Sequence, residues 1–435
     1  MIKFLTLVIK KKSDYKAAFG NSLWLFAEKF ARAILAIFVG AWVARYLGPD
    51  RYGMLSYVLA IISIFQVIAS LGLDSIVVRE ITEHEDNRKR IASIIGATLS
   101  MRFIAGILCW VLSILTIYVL LEGSAEERVL VFLLGSTLVV QSVDTIDLWF
   151  QSQSKSKKTV NAKLIGYGIA NILKVALILM GASLIFFSVA IVVEAIVVAI
   201  ALIYAYKKFS CGSPLLLRID QQEIKMLNHA WPILLSGISV VIYMRFDQII
   251  IGNFLGSEQV GIYTAMVTFC SIWNVIPGII CTSLMPMVAK IKGQNEKKYY
   301  EELTYLFRIF MMICLVIIII VNVGAKDLIT LLYGEQYIVG INALRIYIFT
   351  IIPVFLGVGQ TLWIINEKKT KLLLMQTVIG GIFSVLLNLT LIPKYGIEGA
   401  AAGSVISYFI SAIIVNMFIC KKLFFLQIGI NKFKD

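Results

Sequence analysis

The residues of this chain that could do chemistry are charges and amides set inside long apolar runs. Glu28, Lys29 and Arg32 lie in one such run. Glu28 and Arg32 are four apart, share a helical face and can neutralise each other, whereas Lys29 points about 100° away and is left for another helix or a ligand. Arg245 and Asp247 lie near the middle of a second run. Two apart on a helix, they project to nearly opposite sides, so at least one needs a partner elsewhere. Polar stripes at helical spacing add Ser63, Gln66, Ser70 and Asp74; Gln141, Asp144, Asp147 and Gln151; and Lys163, Tyr167, Asn171 and Lys174, with Arg102 and Glu194 as single charges. A central Arg, Lys or Asp costs about 2.5 to 3.5 kcal/mol to insert in a bilayer, so each implies a wet cavity or a partner. Polar contacts between helices, such as Lys174 against Asp144 or Asp147, are one use of these groups; binding a charged substrate or a coupling ion is the other. Covalent catalysis has no support. The chain lacks a nucleophile elbow, a phosphate loop and H-E-x-x-H, its two histidines (His84, His229) fall in loops, and its six cysteines show no C-x-x-C spacing. No catalytic residue, metal ligand set or cofactor is expected.

The elements that must position these charges follow from composition. Of 435 residues, 59% are apolar and only 15% charged, against about 25% charged in a soluble domain. That balance excludes a soluble enzyme, and it reads the +14 net charge as basic loops of a membrane protein rather than a nucleic-acid surface. Apolar runs give about twelve helical spans, at 19–46, 53–78, 91–121, 128–150, 160–181, 183–206, 230–255, 261–288, 303–325, 341–365, 371–392 and 396–420. Long continuous runs such as Leu184 to Tyr206 are not the alternating pattern of a membrane barrel. With the N-terminus inside, one side collects 29 of the 40 Lys and Arg and the other six, which orients both termini to the cytoplasm.

The chain divides into two halves: a six-helix bundle over 1–206, a cytoplasmic linker over 207–229 in which 220–228 can lie as a short headgroup-level helix, and a second bundle over 230–435. Leu47-Gly48-Pro49-Asp50-Arg51-Tyr52-Gly53 returns 208 residues later as Leu255-Gly256-Ser257-Glu258-Gln259-Val260-Gly261, and Leu148-Trp149 with Lys155 and Gly166 returns as Leu362-Trp363 with Lys369 and Gly380. Six being even, the repeats are parallel, related by an axis along the membrane normal. Pro277, Pro286 and Pro353 lie in the later spans, where a missing donor kinks or breaks a helix.

Local motifs add a family resemblance. Asn21-Ser22-Leu23-Trp24, Arg45-Tyr46-Leu47-Gly48-Pro49 through Tyr52-Gly53, Trp231-Pro232-Ile233-Leu234-Leu235-Ser236, Leu332-Tyr333-Gly334-Glu335-Gln336-Tyr337 and Ile392-Pro393-Lys394-Tyr395-Gly396-Ile397-Glu398-Gly399 resemble the Wzx-type flippases of lipid-linked oligosaccharides, in the multidrug/oligosaccharidyl-lipid/polysaccharide exporter superfamily. The resemblance implies an all-α polytopic membrane protein with two pseudo-symmetric six-helix bundles around a central cavity lined by helices 1, 2, 7 and 8. It implies alternating-access transfer of an undecaprenyl-diphosphate-linked glycan across the bacterial inner membrane for O-antigen or similar polysaccharide. On that reading Lys29, Arg32 and Arg245 contact the diphosphate or acidic sugars. Glu28, Asp74 and Asp247 balance charge or bind a coupling proton or sodium ion. Membrane lipid, a glycan polymerase and chain-length proteins are the implied partners, and nucleic acid is not. Two alternatives stay open: a cation-coupled multidrug exporter of the same superfamily, and a glycan polymerase or ligase, which the short loops disfavour.

Overall fold

Backbone buried in hydrocarbon must satisfy its own hydrogen bonds, and a run of some 20 apolar residues does so only as a helix. The computed structural model describes the backbone of residues 13–121, 123–153, 155, 157–209 and 221–430, and the side chains there other than 13–34, 36, 37, 221–224 and 370. Among the described residues, ten continuous helical stretches are long and apolar enough to cross a membrane. Two of them each join two helices at a glycine, Gly48 (φ 77°) and Gly396 (φ 61°), so twelve spans result. They are α1 (13–47), α2 (49–70), α3 (Arg88–Leu115, prolonged by a π turn at Thr116–Leu120), α4 (Ala125–Ser152), α5 (Lys157–Leu179) and α6 (Leu184–Phe209). The remainder are α7 (Gln221–Leu255), α8 (Ser257–Gln294), α9 (Glu296–Leu332), α10 (Glu335–Asn366), α11 (370–395) and α12 (397–419). The chain is a multi-pass membrane protein.

Helix starts are written locally. Ser124 and Glu127 form a reciprocal capping box at the start of α4, and the Asn295 side chain accepts from the Lys298 amide at 2.9 Å to open α9, each satisfying donors that a first turn leaves unpaired. Two prolines act where expected. Pro277 offers no proton to the Trp273 carbonyl, and α8 tightens into a 3-10 turn at Ile272–Asn274; Pro353 stands in the same relation to the turn Ile348–Thr350 in α10. Gly48 and Gly256 adopt nearly one conformation, φ 77°, ψ 166° and φ 86°, ψ 173°. A side chain there would clash with its own backbone, so glycine makes the sharp break between consecutive spans.

Two boundaries differ from the sequence reading. The second span ends at Ser70, because Leu71 (φ 57°) and Gly72 (φ 64°) turn the chain, and Asp74 then opens a separate short helix, Asp74–Glu83. Asp74 is thereby removed from the stripe of Ser63, Gln66 and Ser70. Helix α7 starts at Gln221 and runs unbroken through Pro232, so the stretch expected to lie apart at headgroup level is continuous with the span. Pro232 stands twelve residues into it, so the Asn228 carbonyl receives no proton from that position.

Contacts divide the chain within α7 into two compact units, one over 20–241 and one beginning at Ile242. In the first, the short helix buries Ile76, Val77 and Ile81 against Ile146 and Phe150 of α4 and Met226 of α7. Its α3 buries Ile94, Ala97 and Met101 and exposes Ile104, Leu108, Val111 and Leu115, an apolar outer stripe at helical spacing that only lipid can cover. In the second unit a closing helix, Lys421–Gln427, is tied in by amides. Gln427 Nε2 and Asn416 Nδ2 both donate to the Ala412 carbonyl, at 2.9 and 2.8 Å, inside the π turn Ile410–Ile414. Gln360 and Gln376 complete this buried network. Burying four amides is tolerable because each finds a partner.

Candidate functional site

In the first unit, polar residues of four spans converge inside apolar surroundings. Ser63 and Gln66 of α2, Gln141 and Asp144 of α4, Lys163 of α5 and Glu194 of α6 line a cavity of about 390 Å³. Gln141–Asp144 is a 3-10 turn. Side chains three apart eclipse in that geometry, so the turn sets Gln141 and Asp144 on one edge, where an α-helix would offset them. The cavity has room for several waters at about 30 Å³ each.

Beside it, Asp147 is buried, 4% exposed. Its Oδ2 accepts from Lys163 Nζ at 2.5 Å and from Gln151 Nε2 at 3.0 Å, while its Oδ1 and the Gln141 Oε1 have no hydrogen-bond partner among the described residues. Asp147 thus takes Lys163, nearer the helix end than the Lys174 that the stripe suggested. Two lining carboxylates, Asp144 and Glu194, share the cavity with Lys163, and Lys174 of α5 lies within electrostatic range of Glu194. Carboxylates lining a low-dielectric pocket can take up a proton or a small monovalent cation. Among the described residues no group of three or more His, Cys, Asp and Glu side chains is arranged to hold a metal ion. Five of the six cysteines are free and buried, and Cys211 lies outside the described residues.

Elsewhere in this unit, Arg102 is 4% exposed and donates to Asp74 Oδ1 at 2.7 Å across the α2–α3 connection. The α3 charge and the displaced carboxylate thus compensate each other. Glu28, Lys29 and Arg32 lie on helical backbone with side chains outside the described residues.

In the second unit, Asp247 is 3% exposed. Its Oδ2 accepts from the Tyr263 hydroxyl of α8 at 2.6 Å and from Ser404 Oγ of α12 at 3.2 Å, and its Oδ1 from the Gln248 amide at 2.8 Å. Arg245 is exposed, as two-residue spacing on a helix dictates. The structure thus gives Asp247 partners on two other helices and leaves Arg245 on a different side of α7. Asp144 and Lys163 were legible in stripes and Glu194 as a single charge, on separate helices. Their convergence was not, because it depends on which spans neighbour each other.

The family model described as Polysaccharide biosynthesis protein matches residues 19–292. A Shigella flexneri protein assigned as an O-antigen transporter is 23% identical over 421 residues, 91% of this chain and 96% of its own. The capsular polysaccharide biosynthesis protein CapF of Staphylococcus aureus is 23% identical over 420 residues, 93% of this chain and 99% of its own. Among solved structures, an inward-facing multidrug resistance transporter of the MATE family in the MOP superfamily superposes with a TM-score of 0.74 at 15% identity, covering 91% of this chain and 95% of that one. The lipid II flippase MurJ in an inward closed conformation gives 0.74 at 14% identity, covering 93% of this chain and 90% of that one. At such identities the superpositions establish the twelve-helix transporter fold.

Proposed function

The chain belongs to the polysaccharide biosynthesis protein family, and from that premise we propose that it is a flippase of lipid-linked glycans. Its substrate is an oligosaccharide on undecaprenyl diphosphate, moved by alternating access from the cytoplasmic to the periplasmic leaflet of the bacterial inner membrane, with both termini cytoplasmic. No covalent bond is made or broken. The observation that carries this reading is the family match over 19–292, which runs from α1 into α8.

The physical task matches the residues. A diphosphate cannot enter hydrocarbon without compensation, because an unpaired charge there costs many kcal/mol, so cations must meet it along a hydrated route. Lys29, Arg32 and Arg245 are the groups proposed for that contact, with Glu28 balancing charge beside them. The ammonium and guanidinium donors suit phosphate oxygens. Asp74 and Asp247 fit charge-balancing roles, given their bonds to Arg102 and to Tyr263 and Ser404. The coupling proton or sodium ion is assigned to Asp144 and Glu194 in the first unit's cavity. A glycan polymerase and chain-length proteins act on the product.

Loss of the gene in its own host provides the test. Lipid-linked units trapped on the cytoplasmic leaflet, with no surface glycan, support flipping. Surface display of single unpolymerised units overturns it in favour of a polymerase, and loss of cationic dye efflux with glycan display intact overturns it in favour of a drug exporter.

A further inference from the structure

One end of the second unit gathers basic side chains around an apolar groove that the transport reading leaves unused. Lys368, Lys369 and Lys371 on the α10–α11 turn, with Leu372 and Met375 of α11 and Ile419 of α12, line a groove of about 420 Å³. The turn is closed by the Lys368 and Lys369 amides donating to the Ile365 and Ile364 carbonyls. Lys368 sits at φ 55°, a conformation in which glycine is the lower-energy choice, yet the sequence supplies a cation. Lys369 lies 5.0 Å from the Trp363 ring centroid, which holds its ammonium at the rim.

Two acids at this end are paired with other groups. Glu367 takes Lys292 Nζ at 2.9 Å and the Tyr300 hydroxyl at 3.2 Å, and Glu296 faces Lys422 at 3.9 Å. Among the described residues no carboxylate lies within ion-pair distance of Lys368, Lys369 or Lys371. The groove is therefore basic at its mouth. Its floor is greasy and faces outward: Met375 is 45% and Ile419 46% exposed, and Phe418 beside them is 72% exposed. A soluble anion would need the lysines and gain nothing from the floor. A lipid uses both, with its phosphate among the ammonium groups and a chain along the apolar wall.

We propose that this groove is a binding site for an anionic phospholipid of the surrounding bilayer, distinct from any transported substrate. Its headgroup phosphate is held by Lys368, Lys369 and Lys371, and an acyl chain lies on Leu372, Met375 and Ile419. Bound lipid also fixes the α10–α11 turn against the end of α12.

The test uses the full-length protein in detergent, with phosphatidylglycerol or phosphatidylcholine added and retained lipid counted by native mass spectrometry. A variant carrying Lys368→Gln, Lys369→Gln and Lys371→Gln is compared with a control of equal charge loss, Lys155→Gln, Lys157→Gln and Lys158→Gln. The wild type and the control retain phosphatidylglycerol in preference to phosphatidylcholine. The groove variant loses that preference, by about fivefold for each lysine at low salt, while its unfolding midpoint without lipid is unchanged. Equal loss in both variants overturns the proposal, because net charge alone would then explain binding. Displacement by inorganic phosphate or glycerol phosphate at the concentrations at which short-chain phosphatidylglycerol displaces overturns it too, since the floor would then contribute nothing. If the groove variant unfolds, the single changes Lys368→Gln and Lys371→Gln decide by the same ratio.

Discussion

Tyr263 of α8 gives its hydroxyl proton to Asp247 of α7 at 2.6 Å, and Ser404 of α12 reaches the same carboxylate oxygen at 3.2 Å. One buried anion thereby ties three helices of the second unit together. Tyr263→Phe removes a donor without removing the ring, and a buried carboxylate left short of a donor costs about 1–3 kcal/mol. The unfolding midpoint in detergent falls accordingly. Combined with Asp247→Leu, the tyrosine change costs less than it does alone, since its acceptor is gone. Strict additivity in that cycle would mean that the hydrogen bond contributes nothing.

The pair Lys163–Asp147 responds more sharply. Asp147 is buried, and Lys163 is the cation bonded to it. Lys163→Met strands the carboxylate, at a cost of about 3–5 kcal/mol. Lys163→Met with Asp147→Leu recovers most of that loss, because an apolar pair of similar volume needs no compensation. Folded yield and thermal unfolding read both outcomes. A double variant no more stable than Lys163→Met would show that the aspartate is held by other groups.

Transport separates from stability at the cavity. Asp144→Asn and Glu194→Gln keep size and polarity and remove a negative charge from the space between α2, α4, α5 and α6. Each lowers glycan flipping in proteoliposomes at least about tenfold, the worth of roughly 1.4 kcal/mol at a rate-limiting or coupling step, with the unfolding midpoint held within about a degree. Flipping that stays at full rate under an imposed ion gradient would move the coupling site elsewhere.

Backbone packing supplies a contrast between two glycines. Gly72 has φ 64°, and a Cβ there would come within 2.7 Å of the Leu234 nitrogen and 2.9 Å of the Ala230 carbonyl oxygen. Both obstacles are α7 backbone and cannot rotate away. Gly168, inside α5, has nothing within 4 Å of that position. Gly72→Ala therefore destabilises by more than the roughly 1–3 kcal/mol of an αL residue in strain. Gly168→Ala is neutral or raises stability by about 0.5–1 kcal/mol, as alanine does in a helix. Equal effects would refute the close approach.

Much of the fold was legible because hydrocarbon imposes one solution on a long apolar run. The break at Gly48, the proline-linked 3-10 turns before Pro277 and Pro353, and the opposed directions of Arg245 and Asp247 all follow from local rules. Asp74 was misplaced because Gly72 alone marked the turn, while Leu71 beside it takes a positive φ that a leucine rarely adopts. The cavity lay beyond local reading for a different reason. Spacing puts Gln66 and Asp144 in stripes and leaves Glu194 a single charge, and only the order in which spans pack decides that they meet. The Gln360–Gln376–Asn416–Gln427 network is of the same kind, since its acceptor, the Ala412 carbonyl, is freed by a π turn.

The near-identical torsions at Gly48 and Gly256 bear on the engineering of the chain. Around them Pro49 stands opposite Ser257 and Arg51 opposite Gln259, so the two connections share a bend rather than a set of side chains. Interchanging residues 49–52 with 257–260 should then leave an intact transporter, the two hairpins acting as spare copies of a single part.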